Sequence, residues 1–242
     1  MQKASSNLIK ELKKQKKKNS NLLFLDNPKI IKDALKAGHT PILALTSDEK
    51  FQNIKELEDK IYLTSQSVIE SLSDVKTPQG VCVMLEYIQH IVEEPKTNFL
   101  VLDGLQDPGN VGTLIRTAKA SGFDYVYLVD SVNETNSKMI RSSVGACFNL
   151  KLFSISREEF VKKCKIWKLQ LLKTDMNGEN IFKFKNNGIV GVVIGNEGNG
   201  VSKEISKLCQ KTVSIPMKEG IESLNAGVSG AIIMYQINKD IL

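Results

Sequence analysis

The sequence predicts an α/β protein of two domains, and three observations lead to this prediction. The chain has 242 residues, which suits one large domain or two modest ones. Its composition, 41% apolar and 25% charged, is that of a globular protein with a substantial core. Short apolar runs alternate with helical patterns along the whole chain. Alternation of this kind favours a parallel sheet that is covered by helices on both faces.

The first half of the chain contains four helical and four strand-like segments. The predicted helices are 4–18, 28–37, 51–58 and 65–72. The predicted strands are 22–25, 42–45, 61–63 and 80–85. The first helix has Leu8, Ile9 and Leu12 on one face and lysines on the other, and Gly38 ends the second. Apolar periodicity then fades up to Thr97, so we expect domains 1–92 and 93–242.

The second half repeats the alternation with stronger apolar runs. The predicted strands are 99–102, 125–129, 148–153, 170–173, 189–194 and 213–215. The predicted helices are 110–121, 137–144, 157–165, 202–208 and 224–238. In a parallel sheet, ligands bind beyond the carboxyl ends of the strands. The loops that follow 99–102, 189–194 and 213–215 are therefore the places to search for chemistry.

Several classes of protein and site are excluded or disfavoured by simple counts. No run of 18 apolar residues occurs, which excludes a transmembrane helix. The first 20 residues hold seven lysines and no apolar run, so we expect no secretory signal. Only His39 and His90 accompany four widely spaced cysteines, so we expect no metal site. Such cysteine usage is typical of a cytoplasmic protein with reduced thiols.

The net charge of +6 is unevenly distributed. Residues 1–18 carry +6, residues 19–95 carry −5 and residues 96–242 carry +5. A lysine-rich arm and a basic second half predict a polyanionic partner, most simply a nucleic acid, although a solvated surface stays open as the alternative. The candidate RNA contacts in the arm are Lys13, Lys14, Lys16, Lys17 and Lys18.

The loop after strand 99–102 resembles a phosphate-binding loop only in part. Gly104 and Gly109 have the spacing of a P-loop, but Asn110 and Val111 stand where Lys and Ser or Thr are required. An ATPase is thereby disfavoured. Asn110 could cap the helix that follows, and Arg116 lies nearly two turns into that helix. Arginine is rare in this chain and provides a planar fork that suits phosphate.

The other two loops each allow a structural and a functional interpretation. Gly195–Gly200 has its glycines in the order G-x-x-G-x-G, which is not the dinucleotide fingerprint. It fits either a tight turn or a close backbone approach to a ligand, with Glu197 as an acceptor. In the third loop, Ser223 or Asn225 could cap the final helix.

Taken together, the three loops resemble the three motifs of the SpoU (TrmH-type) RNA ribose 2′-O-methyltransferases of the SPOUT superfamily. The matching segments are Asn110-x-Gly112-x-x-x-Arg116, Gly195-Asn-Glu197-Gly198 and Ile215-Pro-Met followed by Ser223-Leu-Asn225. Arg141-Ser-Ser143-Val-Gly-Ala146 is similar to a further segment of the family. The resemblance extends over essentially the whole second half of the chain.

The first half resembles the ribosomal-protein-L30-like substrate-binding domain that accompanies this family. The similarity rests on Asn7-Leu-Ile-Lys10 and on 73–80. Two segments depart from the family pattern. Leu25-Asp26-Asn27 replaces a Val-Glu-Gly run, and Ala226-Gly-Val-Ser-Gly230 is rich in glycine. Each glycine in a helix costs about 1 kcal/mol relative to Ala, unless it lets two backbones approach, for example at a dimer contact.

The resemblance implies a specific activity and fold. It implies a catalytic domain with a parallel sheet and a C-terminal trefoil knot. That domain would bind S-adenosylmethionine through backbone groups at Gly195, Ile215 and Leu224. The protein would work as a cytoplasmic homodimer on structured RNA, without a metal. The residues implied in catalysis are Arg116, Asn110, Glu197, Ser223 and Asn225, and those implied in RNA binding include Arg141 and Ser143.

The RNA substrate is expected to be ribosomal RNA, because a full substrate domain precedes the catalytic one and the chain ends after the third motif. A tRNA methyltransferase of the same family is one alternative. A non-catalytic RNA-binding protein on this fold is another, although all five polar motif residues are present. A nucleotide-dependent α/β enzyme is a third, and it lacks a phosphate fingerprint.

Overall fold

The computed structural model describes residues 2–18, 21–51, 54–186 and 188–239, except for the side chains of Lys17 and Lys18. The chain divides into two units, Met1–Gln89 and His90–Leu242. The division falls inside the segment where apolar periodicity fades. Within the described residues, no helix is both long and apolar enough to cross a membrane.

In its described residues, the first unit is a five-stranded mixed sheet with three α-helices. Its strands are β1 (Gln2–Lys3), β2 (Leu22–Leu25), β3 (Thr40–Thr46), β4 (Ile61–Leu63) and β5 (Val81–Glu86). Its helices are α1 (Ser6–Lys18), α2 (Pro28–Lys36) and α3 (Gln66–Leu72). The strand order is β1-β4-β3-β5-β2. Strands β1, β4 and β3 pair in parallel, whereas β5 is antiparallel to both β3 and β2.

Helix α1 packs on this sheet through its apolar face, as its amphipathic pattern predicts. Leu12 is buried with Leu45 and Met84, and Leu8 packs at the edge of the same cluster. The predicted helix 51–58 is wrong: its described residues form only short 3-10 turns. An α-helix would point the buried Phe51 and Leu57 about 120° apart, so one helix could not bury both against the sheet.

The second unit is a six-stranded parallel sheet. Its strands are β6 (Phe99–Asp103), β7 (Tyr125–Val129), β8 (Lys151–Ile155), β9 (Leu171–Asn180), β10 (Gly191–Gly195) and β11 (Lys211–Ser214). Its helices are α4 (Pro108–Ala120), α5 (Ser137–Ser142), α6 (Arg157–Trp167), α7 (Lys203–Ser206) and α8 (Ala226–Ile237). The order is β11-β9-β10-β6-β7-β8, and every pair is parallel. The predicted parallel sheet is confirmed.

Both faces of this sheet are covered, which explains why its strands are continuous apolar runs. On one face, Tyr127 packs against Phe99 and Phe153 from the sheet and Phe160 from α6, with ring centroids 5.1 to 5.7 Å apart. The other face carries α4 and α8, which contact each other. Gly230 of α8 lies against α4, because a Cβ there would be only 2.3 Å from Leu114 Cδ2.

Two elements of the second unit differ from the sequence prediction. The predicted strand 148–153 begins later, as β8, and is preceded by a 3-10 helix, Ala146–Asn149. Gly145 has φ of +80° and its carbonyl accepts the N–H of Phe148, which starts that turn. Strand β9 is longer than predicted and leaves the sheet in its middle. It pairs with β11 at Leu172 and Lys173 and again only at Glu179 and Asn180.

The segment 174–178 therefore forms an excursion at the carboxyl edge of the sheet. The ladder resumes at Glu179, and just before it, at Gly178, β9 passes very close to β11. A Cβ on Gly178 would lie 2.4 Å from the carbonyl carbon of Val213. Only glycine permits this approach, so the excursion has a fixed end point.

Buried polar side chains join the start of the sheet to the end of α8. Asn98 donates to Asn238 Oδ1 at 2.6 Å and accepts the N–H of Val190 at 2.8 Å. Asn238 in turn donates to the carbonyl of Ser121 at 2.6 Å. Because buried amides are costly when unpaired, this network fixes where α8 ends.

The two segments that depart from the family pattern have local structural roles. Asn27 caps α2 by accepting the N–H groups of Lys29 and Ile30, and buried Asp26 accepts the hydroxyl of Ser73 at 2.5 Å. In α8, Gly230 lets two helices of the same chain approach. Packing within the chain is thus enough to explain this glycine.

Candidate active site

A cavity of about 430 Å³ lies at the carboxyl ends of β9, β10 and β11. Its size is within the usual range for a small-molecule site. Its walls combine apolar side chains with a smaller set of polar groups. The apolar residues include Ile194, Val213, Ile215, Met217, Leu224 and Ile233, and the polar ones include Thr174, Asp175, Asn196, Glu197, Ser223 and Asn225.

Gly195 ends β10 where the chain folds back tightly on itself. A Cβ on Gly195 would lie 2.2 Å from the carbonyl carbon of Gly200 and from the nitrogen of Val201. The turn between them is held by Asn196, whose side chain accepts the N–H groups of Gly198 and Asn199. Glycine is therefore required here by the turn itself, and it also leaves backbone uncovered at the cavity wall.

The three candidate loops meet through one row of side-chain hydrogen bonds. Asn225 Nδ2 donates to Asn110 Oδ1 at 2.9 Å, and Asn110 Nδ2 donates to Glu197 Oε1 at 2.9 Å. Asn225 and Glu197 line the cavity. Glu197 and Asn225 thus converge on the amide of Asn110, although they lie 87 and 115 positions from it in the chain.

The caps of α4 and α8 decide between the structural and functional interpretations. Asp107, not Asn110, caps α4, since its carboxylate accepts the N–H of Asn110 at 3.0 Å. Asn225 caps α8 and still joins the row through its amide nitrogen. Ser223 makes no cap and lines the cavity. Capping therefore leaves the Asn110 side chain unexplained, and the row of hydrogen bonds at the cavity explains it.

Arg116 lies on the exposed face of α4 and is not among the residues that line the cavity. The same helix is fixed against α5 at Gly112. A Cβ there would lie 2.5 Å from Ser142 Cβ and 2.6 Å from the carbonyl oxygen of Met139. The glycine of the first motif thus sets the distance between the helix that carries Arg116 and the helix that carries Arg141.

The residues expected to bind RNA differ in their exposure to solvent. Lys13 and Lys14 are exposed and Arg141 is half-buried. The side chains of Lys17 and Lys18 lie outside the described part of the chain.

The side-chain contacts correct the expectation for Ser143 and show Lys16 in an ion pair. Ser143 is fully buried and its hydroxyl donates to the carbonyl of Ile140, so this side chain supports α5 and does not face RNA. Lys16 is held by Asp74 and by the carbonyl of Leu72, each at 2.6 Å. Its ammonium is therefore already paired within the first unit, at a partly exposed position.

An ion-pair network below the loops was not found by sequence reasoning. The Asp103 carboxylate is buried and accepts Nε and Nη2 of Arg157 at 3.0 and 2.9 Å, and the N–H of Ser202 at 2.7 Å. Arg157 also pairs with Asp130 at 3.2 Å. This network links the ends of β6 and β7 to α6 and to the turn after β10. The only features of the sequence that pointed to this network were the rarity of arginine and the position of Asp103 at the end of an apolar run.

Cysteine and metal chemistry have little support at this site. Burial raises the pKa of Cys82 and Cys164 to about 12 and that of Cys209 to about 11, so these thiols stay protonated at neutral pH. Across the described ranges, no group of three or more His, Cys, Asp or Glu side chains could hold a metal ion.

Comparison with known proteins agrees with this architecture. A solved AdoMet-bound rRNA methyltransferase from Sinorhizobium meliloti superposes with a TM-score of 0.88 at 20% identity, covering 100% of this chain and 98% of that one. A solved RNA 2′-O ribose methyltransferase gives a TM-score of 0.81 at 26% identity, covering 98% and 97%.

Among curated proteins, the 23S rRNA (guanosine(2553)-2′-O)-methyltransferase RlmP of Bacillus subtilis (strain 168) is 27% identical over 230 residues, which cover 93% of this chain and 91% of RlmP. The fold is that of α/β RNA methyltransferases, as the superpositions show. The model of the SpoU rRNA Methylase family matches residues 97–235. The chain belongs to this family.

Proposed function

We propose that this chain is an S-adenosylmethionine-dependent RNA ribose 2′-O-methyltransferase that acts on ribosomal RNA in the cytoplasm. The observation that carries the proposal is the hydrogen-bonded row Asn225–Asn110–Glu197 at the edge of the cavity. RlmP, whose name specifies rRNA and the 2′-oxygen, aligns along nearly the whole chain. That coverage supports rRNA over tRNA as the substrate.

The cavity suits S-adenosylmethionine in volume and in lining. Its apolar walls fit an adenine ring, and the crowded backbone at Gly195 leaves no room for a side chain. Backbone groups of Gly195, Ile215 and Leu224 would hold the cofactor. When bound, S-adenosylmethionine supplies a methyl group that is activated by its sulfonium charge. The residues of this chain would then bind the cofactor, orient the ribose hydroxyl towards it and assist the loss of the hydroxyl proton.

The polar residues divide these tasks. Because Asn110 donates to Glu197 and accepts from Asn225, its amide is fixed at the cavity edge. These groups, with Ser223, would orient the ribose and the methionine end of the cofactor. A guanidinium keeps its proton at neutral pH. Arg116 would therefore hold a substrate phosphate and stabilise the developing alkoxide, rather than act alone as a base.

The two units take different parts in this proposal. Residues 1–92 form an L30-like RNA-binding domain, with Lys13 and Lys14 as exposed RNA-binding residues, and residues 93–242 form the methyltransferase domain with Arg141 facing the RNA. We also assign a C-terminal trefoil knot. What supports it is the path of the chain, which runs from the edge strand β11 back to α8, packed on α4 and β10.

A homodimer is part of the proposal because α8 presents an apolar stripe to the outside. Val228 and Tyr235 are 49% and 46% exposed, and half-buried Ile232 lies between them on the same face. The opposite face is buried within the unit through Ile233 and Ile237. A helix that is apolar on all sides is typical of one covered on all sides, which a second copy would achieve.

The test is methyl transfer to purified rRNA and tRNA, with the methylated nucleotide identified by mass spectrometry after digestion. We expect a ribose-methylated nucleotide in rRNA that is absent without S-adenosylmethionine. Transfer to tRNA alone would replace rRNA as the substrate. RNA binding without any transfer would indicate a non-catalytic protein and overturn the proposal.

A further inference from the structure

Asp175 is a charged residue in the cavity that lies outside the three motif segments. It belongs to the excursion 174–178 of β9 and lines the cavity with Gly195 and Leu224. The excursion is anchored at both ends: Thr174 Oγ1 donates to the carbonyl of Val193 at 3.0 Å, and Gly178 fits against β11. Asp175 is thus held at the cavity wall by the sheet itself.

The carboxylate of Asp175 is ionised and retains capacity to accept hydrogen bonds. The backbone N–H of Asn177 donates to Oδ1 at 3.2 Å, and Lys173 Nζ lies 3.4 Å from Oδ2. The hydrogen bond from Asn177, and then Lys173, lower the pKa of Asp175 below its ordinary value. The backbone N–H of Met176 also contributes to the lowered pKa. A carboxylate offers about four lone-pair positions, so these three interactions still leave capacity for a ligand.

The position of Asp175 in the sheet separates it from the row of polar side chains. Strand order places β9 on one side of β10 and β6, which leads into α4, on the other. Asn110 is on α4 and bonds Glu197 just after β10. Asp175 and Asn110 therefore lie on opposite sides of the β10 turn, and a ligand between them meets Asp175 away from Arg116.

We propose that the Asp175 carboxylate binds the ribose hydroxyls of the cofactor; this rests on the proposed function. The cofactor has three kinds of donor that a carboxylate could take: its ammonium group, the amino group of its adenine ring and its ribose diol. The adenine ring is assigned to the apolar walls of the cavity, which leaves the ammonium group and the diol. The ammonium stands beside the cofactor's own carboxylate, which Asp175 would repel. The diol offers two O–H donors with no anion nearby. In dinucleotide-binding sheets, an acid at a neighbouring strand end takes the ribose in the same way.

Calorimetric titration of the full chain with S-adenosylhomocysteine and its 2′,3′-dideoxy analogue tests this inference. For the unmodified protein, we expect the analogue to bind roughly 10- to 100-fold more weakly, as for hydrogen bonds to a charged group. Asp175→Ala should lose a similar factor for S-adenosylhomocysteine. In that variant, the two ligands should bind equally, because the acceptor of the hydroxyls is gone.

Two further variants keep the test informative. Glu179→Ala removes an exposed acid from the same strand, outside the cavity lining, and should leave both affinities unchanged. If the Ala variant does not fold, Asp175→Asn keeps the side-chain size and one acceptor oxygen but removes the charge, so the penalty for the dideoxy analogue should become smaller without disappearing.

Three results would each mean something definite. Unchanged affinity of Asp175→Ala for S-adenosylhomocysteine would overturn the inference. So would a penalty for the dideoxy analogue that persists in Asp175→Ala, because the hydroxyls would then have another partner. Failure of the unmodified protein to bind S-adenosylhomocysteine at all would instead refute the proposed function.

Discussion

Asn110 makes two kinds of interaction, one through its backbone and one through its side chain, and a substitution can separate them. Its backbone N–H bonds the cap Asp107, whereas its side chain joins Glu197 and Asn225. Asn110→Ala keeps the cap, so we expect the thermal midpoint to change little. We expect methyl transfer to fall by about 100-fold, the usual effect of removing one positioned polar group. Parallel thermal unfolding and turnover measurements check both parts. If the thermal midpoint of Asn110→Ala fell sharply together with its turnover, the role of Asn110 would be structural only.

The role of Arg116 can be tested with a substitution that keeps the positive charge and removes the planar guanidinium group. It is exposed and does not line the cavity, so Arg116→Lys should leave the affinity for S-adenosylhomocysteine nearly intact. A Lys ammonium lacks the planar fork that matches phosphate. We therefore expect methyl transfer to fall severely, measured as kcat with rRNA. Near-normal turnover in the Lys variant would contradict the role assigned to Arg116.

The packing of helix α1 limits the ways in which its proposed contact with RNA can be tested. Deleting residues 1–18 would remove buried Leu12 as well as the charges. Lys13→Gln with Lys14→Gln instead removes two exposed charges. For each RNA phosphate that the variant no longer neutralises, the slope of log affinity against log salt should fall by roughly 0.7 to 0.9. Filter binding at several salt concentrations measures this slope.

The matched control for that double variant lies on α2 of the same unit. Lys32→Gln with Lys36→Gln also removes two exposed lysines from a helix. We expect its salt slope to match that of the unmodified protein. If both double variants gave the same slope as the unmodified protein, Lys13 and Lys14 would belong to a solvated face only.

Helix α8 carries the prediction about assembly. Val228→Glu places a charge in its exposed apolar stripe, and a charge buried without a partner is costly. We expect a dimer for the unmodified protein and a monomer for this variant in sedimentation velocity. Ile166→Glu, at a 74% exposed position on α6, is the control and should stay dimeric. A monomeric unmodified protein would refute the homodimer.

For the molecule as a whole, cofactor binding should increase the free energy of unfolding. A ligand that binds only the native state raises the free energy of unfolding by about 2.7 kcal/mol at 100 times its Kd. We expect S-adenosylhomocysteine to raise the thermal midpoint of the second unit, followed by the fluorescence of Trp167, the single tryptophan. The shift should be the same with and without a chelator. A shift that disappears with chelator would require a metal.

The order of strands and helices was largely predictable, because buried strands are apolar runs between turn residues. The loops of the site were predictable for the same reason, since they follow three such runs. The excursion 174–178 was not, because its polar residues have no periodicity and its shape depends on β11, far along the chain. Nor was the Asp103–Arg157 pair, which joins residues 54 positions apart.

The hydrogen bond between Asn98 and Asn238 has a consequence for synthesis of the chain. Its partners are 140 positions apart, and the cavity needs residues up to Ile233. Units generally fold in order as they leave the ribosome, so the first unit can form while the second is still being translated. Under the proposed function, a message cut short before α8 would yield a protein with a finished RNA-binding unit and no cofactor pocket. Such a fragment would occupy RNA without modifying it and compete with the intact enzyme.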